Sequence, residues 1–338
     1  MKTYRNPWRG MGLNNPELEA VPFPSVDWQS PHRLLTRCPR ADRTPLRDLD
    51  KLAAEFGLDR VIVKDERDRM GLGSFKALGA AYVIACDAAA GTAAGTTYVT
   101  ASAGNHGLSV AAGAAAFGAR AVIYISQQVP EAFADRLACV GAEVVREGGD
   151  YEESMTAAAD AAAQEGSVLL SDSSWPGYIE RPHRLMQGYL VLMQEAFEDI
   201  AAPPTYLFVQ AGVGGLAGAA AAFVRESWGE APIVIVVEPE VAPELQASIA
   251  AGHPVKAEGP VSIMGRLDCK EPSLIALKGL SRDADVFATI TEEEGRVAAR
   301  RLSEMRLPST PSGAAGLAAL FASAPHREAL GLDLSLIH

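Results

Sequence analysis

The sequence predicts an α/β protein of mostly parallel sheets flanked by helices. Short β-branched runs alternate with Ala- and Leu-rich stretches of helical period along most of the chain. Glycine clusters stand at several strand-to-helix junctions, where open α/β sheets build their sites. With 338 residues, 48% hydrophobic and 21% charged, the chain has ample material for a buried core and for two medium domains.

The elements follow in order. The opening segment, to about residue 40, is rich in Pro, Asn and Arg and reads as an irregular arm over the core or a partner subunit. VIVKD at 61–65 is a strand, followed by a glycine turn and an Ala-rich helix from about Phe75. TTYVTAS at 96–102 is a second strand with a helix after Asn105, and RAVIYIS at 120–126 a third with a helix over 129–141. AEVVRE at 142–147 precedes a helix over about 151–165, and SVLLSD, TYLFVQ and PIVIVVEP continue the alternation. Such βαβ units take right-handed crossovers, which put helices on both faces of a sheet. The last residues, LGLDLSLIH, begin like the approach to another strand and stop, so the natural chain is expected to continue beyond them.

Composition narrows the function. A net charge of −12 opposes binding to a phosphate backbone, so no nucleic-acid partner is expected. No apolar stretch is long enough for a membrane span, and MKTYRNPWRG lacks the apolar core of a signal peptide, which implies a cytoplasmic protein. The four cysteines show no metal-ligand spacing and read as single thiols in a reducing compartment, and no metal site is expected.

Three glycine-rich turns carry the chemistry. In GLGSFKALGA at 71–80, Lys76 follows a turn and opens a helix. A lone lysine is ordinarily a solvated charge, but desolvation at such a junction lowers its pKa and makes it a former of imines with carbonyl compounds. In TASAGNHG at 100–107, small residues lead to Asn105 and His106 at a helix start, where successive backbone N–H groups suit a carboxylate. In VQAGVGGLAGA at 209–219, Gly212, Gly214 and Gly215 let the backbone approach a phosphate under a favourable helix dipole. Each turn alone is a weak signal, and each could be no more than a helix cap. A nicotinamide-dinucleotide reading would need its glycine turn at the first strand, and it would leave the lysine turn without a role.

The order lysine turn, anion turn, phosphate turn resembles the fold-type II pyridoxal-phosphate family, the group of tryptophan synthase β and threonine dehydratase. Arg43-Thr44-Pro45-Leu46, Lys64-Asp65-Glu66, Ser74-Phe75-Lys76, Ser102 to His106, Gly141 to Val144 and Glu238-Pro239 sit in the family's order. Asp172-Ser173-Ser174-Trp175-Pro176-Gly177-Tyr178, Met186 to Tyr189 and Ile263-Met264-Gly265 leading to Cys269 are similar to the diaminopropionate ammonia-lyase branch. The resemblance implies two open, twisted, mostly parallel sheets, with a large cofactor domain of residues 1–95 and 171–338 and a small mobile domain of residues 96–170. It implies that Lys76 carries pyridoxal 5′-phosphate, that Gly212, Val213, Gly214 and Gly215 cradle its phosphate, and that Asn105 lies near its ring oxygen. Ser102, Ala103, Asn105, His106 and Asp172 would line the substrate, a small amino acid, with Lys76 and Asp172 catalytic. The implied reaction is α,β-elimination of 2,3-diaminopropionate to pyruvate and ammonia, in a homodimer.

Two departures stand out. The ammonia-lyases carry Asp in the turn where this chain has Ala103, and that Asp is the acid/base group for the D-substrate. A methyl group cannot move a proton, so the L-isomer is expected, served through Asp172. The same Ser-Ala-Gly-Asn-His is what threonine dehydratases carry, which keeps serine, threonine or 3-hydroxyaspartate as rival substrates. For an acidic β-substituent, Arg181, Arg184 or Arg266 would be the cation, unless they form surface ion pairs. The family also supplies a Ser or Thr near the C-terminus for the pyridine nitrogen. Ser335 is the one hydroxyl in the final residues here, and it is a poor candidate.

Overall fold

The computed structural model describes residues 1–164 and 166–323. Glu165 and the final segment, including Ser335 and the expected approach to a last strand, lie outside the described residues. Among the described residues, ten strands form three sheets. Strands β4 (Thr97–Ala101), β5 (Arg120–Ile125), β6 (Glu143–Arg146) and β7 (Ser167–Leu169) lie in the order β6-β5-β4-β7, all parallel, with Val99 opposite both Val122 and Leu169. Strands β8 (Tyr206–Gln210), β9 (Ile233–Pro239) and β10 (Val286–Ile290) are parallel, and β1 (Lys2–Arg5) adds an antiparallel edge in the order β1-β10-β9-β8. A short antiparallel pair, β2 (Leu46–Asp48) and β3 (Ile62–Lys64), precedes the lysine turn. Strands β9 and β10 are buried almost throughout, as strands covered on both faces should be.

The opening segment therefore departs from the irregular arm expected of it. Residues 2–5 pair with β10 from Lys2 opposite Thr289 to Arg5 opposite Val286, and Gln29–Leu35 is helical. The Asn6 amide then caps three carbonyls, of Leu280, Ser281 and Ala284, at 2.7–3.3 Å and ties the segment to the helix Leu274–Asp283.

The helix Lys76–Ala89 sits between the two large sheets' helices. It packs on the helices Asn105–Ala116 and Glu180–Gly188, burying Leu78, Val83 and Ile84 completely. Small residues set the closeness of that packing. A Cβ on Gly188 would lie 2.7 Å from the Leu78 carbonyl oxygen, one on Gly79 2.7 Å from the Tyr189 ring, and one on Gly113 2.8 Å from Ile84. The helix that carries Lys76 thus packs closely on two neighbours through glycines, its own Gly79 with Gly188 on one side and Gly113 on the other.

Candidate active site

The lysine turn, the anion turn and the phosphate turn each end a strand or strand extension, and the fold brings them around Asp172. Lys76 opens its helix, and its N–H faces Ser74 Oγ at 3.4 Å. Its Nζ forms an ion pair with Asp172 Oδ2, 96 residues away in sequence. Burial opposes the ammonium, but the Asp172 carboxylate outweighs it and holds the lysine well above its ordinary value. Burial likewise opposes the carboxylate, and the Lys76 ammonium outweighs it, so Asp172 lies well below the usual carboxylate range. The pair is therefore charged at neutral pH. This differs from the free, desolvated lysine of low pKa that the turn alone suggests, because the partner carboxylate arrives from a distant loop.

That loop is braced from both sheets. Tyr178 donates its hydroxyl proton to Leu169 O at 2.9 Å and accepts the Ser171 N–H at 3.1 Å, and its ring stacks on Trp175 at 4.4 Å. Ser174 shares a hydrogen bond with Ser273 at 2.7 Å and accepts the N–H of Ile275 at 3.0 Å, which fixes the loop to the helix Leu274–Asp283. The Trp and Tyr of this stretch are braces for Asp172.

In the anion turn, Ser102 Oγ accepts the Gly104 N–H at 3.3 Å, and Asn105 is the first residue of the helix behind it. A Cβ at Gly107 would fall 2.2 Å from Ser102 O, so only glycine closes this turn. His106 is buried, with Nε2 2.7 Å from Leu170 O. A carbonyl can only accept, so Nε2 carries the proton. Burial depresses the His106 pKa and keeps the ring neutral, leaving Nδ1 a bare acceptor without a partner. Ala103 is half-buried and offers only a methyl group.

The phosphate turn follows β8. Gly214 has φ +94°, a left-handed backbone that favours glycine. A Cβ at Gly212 would lie 2.9 Å from Cys269 Sγ, and one at Gly214 2.9 Å from Ala276. The Val213 carbonyl accepts the Ser273 N–H at 3.0 Å, and the helix Gly215–Trp228 starts with its first-turn N–H groups free of intrahelical partners. A Cβ on Gly215 would stand 3.9 Å from Asp172 O, so this turn adjoins the Lys76–Asp172 pair.

Three side chains near this pair were not singled out as site residues by the sequence. Tyr189 is buried beside Lys76, with an unpartnered hydroxyl. Burial, then Glu244 and Asp172, push the Cys269 thiol up to about 12, so it stays protonated. Tyr151 opens the helix Tyr151–Ala162; the residue is more than half exposed, but crowding at its hydroxyl end and the Asp172 carboxylate hold that hydroxyl above the usual range. The neighbouring Glu152 meets Lys256 at 2.6 Å, and Lys256 reaches Glu271 at 3.3 Å. Of the three candidate arginines, Arg181 and Arg184 are spent on Asp87 at 2.8 and 3.4 Å and are structural. Arg266 is exposed and donates its backbone N–H to Ser312 Oγ at 3.2 Å.

These residues fit pyridoxal phosphate. A lysine amine stands beside an anion turn and a glycine turn too tight for any side chain. Among the described residues, buried polar atoms of His106 and Tyr189 beside the pair, and of Thr100 in the strand that leads into the anion turn, lack partners. The family model described as "Pyridoxal-phosphate dependent enzyme" matches residues 39–332. The chain belongs to this family: it is an enzyme, and pyridoxal phosphate is its cofactor. Within the family it is similar to diaminopropionate ammonia-lyase of Escherichia coli, 33% identical over 323 residues, 87% of this chain and 81% of that protein. The enzyme of the same name from Salmonella typhimurium is 36% identical over 261 residues, covering 69% of this chain and 65% of that protein. Biosynthetic L-threonine dehydratase of E. coli matches less of the chain, 33% identical over 64% of it and 39% of that protein. Among solved structures, E. coli diaminopropionate ammonia-lyase in complex with an aminoacrylate-PLP azomethine reaction intermediate superposes with a TM-score of 0.87. That match is 29% identical and covers 98% of this chain and 90% of that one.

Proposed function

We propose that this enzyme eliminates the β-amine of L-2,3-diaminopropionate, with water, to give pyruvate and two molecules of ammonia. The observation that carries the reading is the Lys76–Asp172 ion pair beside a turn whose acid/base position is Ala103. The bound cofactor supplies the sink for the electrons of the Cα–H bond. Lys76 would hold the cofactor, and its free amine, or Asp172 for one stereochemical course, would take the Cα proton. The β-nitrogen must leave as neutral ammonia, since amide ion is prohibitively basic; it brings its own proton as an ammonium, and the Asp172 carboxylate is the group that pairs with it.

Ser102 and the first-turn N–H groups of Asn105 and His106 take the substrate carboxylate. The His106 ring plays a different part: its one proton is committed to Leu170 O, so it accepts at Nδ1 and does not donate to an anion. Gly212, Val213, Gly214 and Gly215 receive the phosphate, and Asn105 lies near the cofactor's ring oxygen. Residues 96–170, which contain one whole parallel sheet, act as the small mobile unit against the rest. A homodimer in the cytoplasm completes the reading, and among the described residues no helix is long and apolar enough to cross a membrane.

The test is pyruvate release from L- and D-2,3-diaminopropionate by the cofactor-loaded enzyme. The L-isomer is expected to exceed the D-isomer by at least about 100-fold, and Asp172→Asn is expected to lower kcat by about 100-fold or more. Comparable turnover of both enantiomers refutes the role given to Ala103. A second reading is favoured by that same residue: with Ala103 in the turn, L-serine or L-threonine becomes the substrate, and faster turnover of either than of L-diaminopropionate selects it.

A further inference from the structure

The Tyr189 hydroxyl has a fixed place and no partner. The residue is 1% exposed, and its oxygen is shut away from solvent without a hydrogen bond. Its ring stands edge-on to Phe75, centroids 5.0 Å apart, and Lys76 Nζ lies 5.8 Å from the same Phe75 ring centre. The two ring carbons that flank the hydroxyl point at glycines. One is 2.7 Å from where a Cβ on Gly79 would be, the other 3.7 Å from a Cβ on Gly215. The hydroxyl end of Tyr189 is therefore wedged between the first turn of the lysine helix and the first turn of the phosphate-turn helix. Phenylalanine would fill the same space without burying an unsatisfied group, so packing alone gives no reason for the oxygen.

We propose that Tyr189 is a positioning residue for Lys76, whose hydroxyl holds the lysine nitrogen in place when Asp172 is drawn to the substrate. Among the described residues, Asp172 is the one carboxylate paired with Nζ. The reaction needs that carboxylate at the β-nitrogen, and a lysine released from it hangs on a flexible four-carbon stem. A phenol both donates and accepts, so it can hold the nitrogen as ammonium or as free amine. Burial keeps the Tyr189 hydroxyl protonated, and the hydroxyl lies close enough to Lys76 for the ammonium's charge to act on it. The inference rests on the reading of Lys76 as the cofactor-bearing lysine.

Tyr189→Phe tests it, because the ring and its packing stay. The apoprotein is expected to melt at the same temperature or higher, since an unsatisfied hydroxyl is removed. The loaded variant is expected to keep the visible absorption band of lysine-bound cofactor, with the pH midpoint of that band lowered by about one unit. Its kcat is expected to fall roughly 10- to 100-fold with KM within about threefold, since ordering of the base acts on the chemical step. An unchanged midpoint with unchanged kcat overturns the proposal, and so does a clear loss of apoprotein stability, which marks the hydroxyl as structural. If the unsubstituted protein shows no such band, the cofactor placement itself fails and this inference falls with it.

Discussion

Around Arg69, which is fully buried, every polar atom finds a partner. The guanidinium spans Glu66, Glu195, Thr44 Oγ1 and the carbonyl of Asp42 at 2.6–3.0 Å, and Lys64 closes the group on Glu195 and the Thr44 carbonyl at 2.6 and 2.7 Å. Around Lys76, a comparable ammonium–carboxylate pair stands beside polar atoms of His106 and Tyr189 that lack partners among the described residues. The first cluster is complete within the chain and locks the segment at 42–44 to the helix Leu190–Asp199. The second is complete only with something added. Buried charge alone does not mark a site; unspent hydrogen-bonding capacity around it does.

Substitutions at each centre break or sharpen this contrast. The largest effect is expected for Lys76→Ala, which should abolish elimination by at least about 10⁴-fold and remove the visible cofactor band, while circular dichroism keeps the native fold. Loss of folding would place Lys76 with the structural cluster instead. Arg69→Met should do the reverse. Leaving Glu66 and Glu195 short of a buried cation should cost about 3–5 kcal/mol in denaturant unfolding, with kcat per folded molecule within about twofold.

The smallest effect concerns a third buried group. Glu238 accepts the N–H groups of Leu245 and Gln246 at 2.7 and 2.8 Å, while neither oxygen of the neighbouring Glu244 has a partner. Burial pushes both carboxyls up from the ordinary 4.5, and for Glu244 the charge of Glu238 adds to it. The folded state then keeps protons that the unfolded chain releases above pH 4.5. Stability should fall as pH rises from there through the raised values, by up to about 1.4 kcal/mol per unit for each proton. Glu244→Gln should flatten that slope in urea titrations at pH 5 and pH 9, and an unchanged slope would remove Glu244 as its source.

Much of this was legible in the sequence. The strands from 62 to 239 stood out because β-branched runs between glycine turns have one ready solution. What escaped was polar or short. Lys2–Arg5 is a charged edge strand with little burial signal, and Leu46–Asp48 is three residues long with Arg and Asp among them. Val286–Ile290 went unread although it is wholly buried, because four apolar residues and a threonine after a helix look like the helix's own continuation. In the site, Lys76 and the glycine turns were visible as local patterns. The Lys76–Asp172 pairing was not, since nothing local links positions 96 residues apart, and it entered through family resemblance alone. Tyr189 lay within a stretch marked as specific, yet its unpartnered hydroxyl is a property of three-dimensional burial.

The close contact of Gly79 and Gly188 has a consequence for how this enzyme can change. The wall that bears Lys76 and Tyr189 tolerates no added methyl at either glycine without moving the lysine, so it is closed to gradual redesign. The opposite wall, with Ala103 in its turn and the loop after Asp172, can exchange side chains without disturbing that mount. A change of substrate would therefore fall to the second wall, the one on which the reading proposed for Ala103 rests.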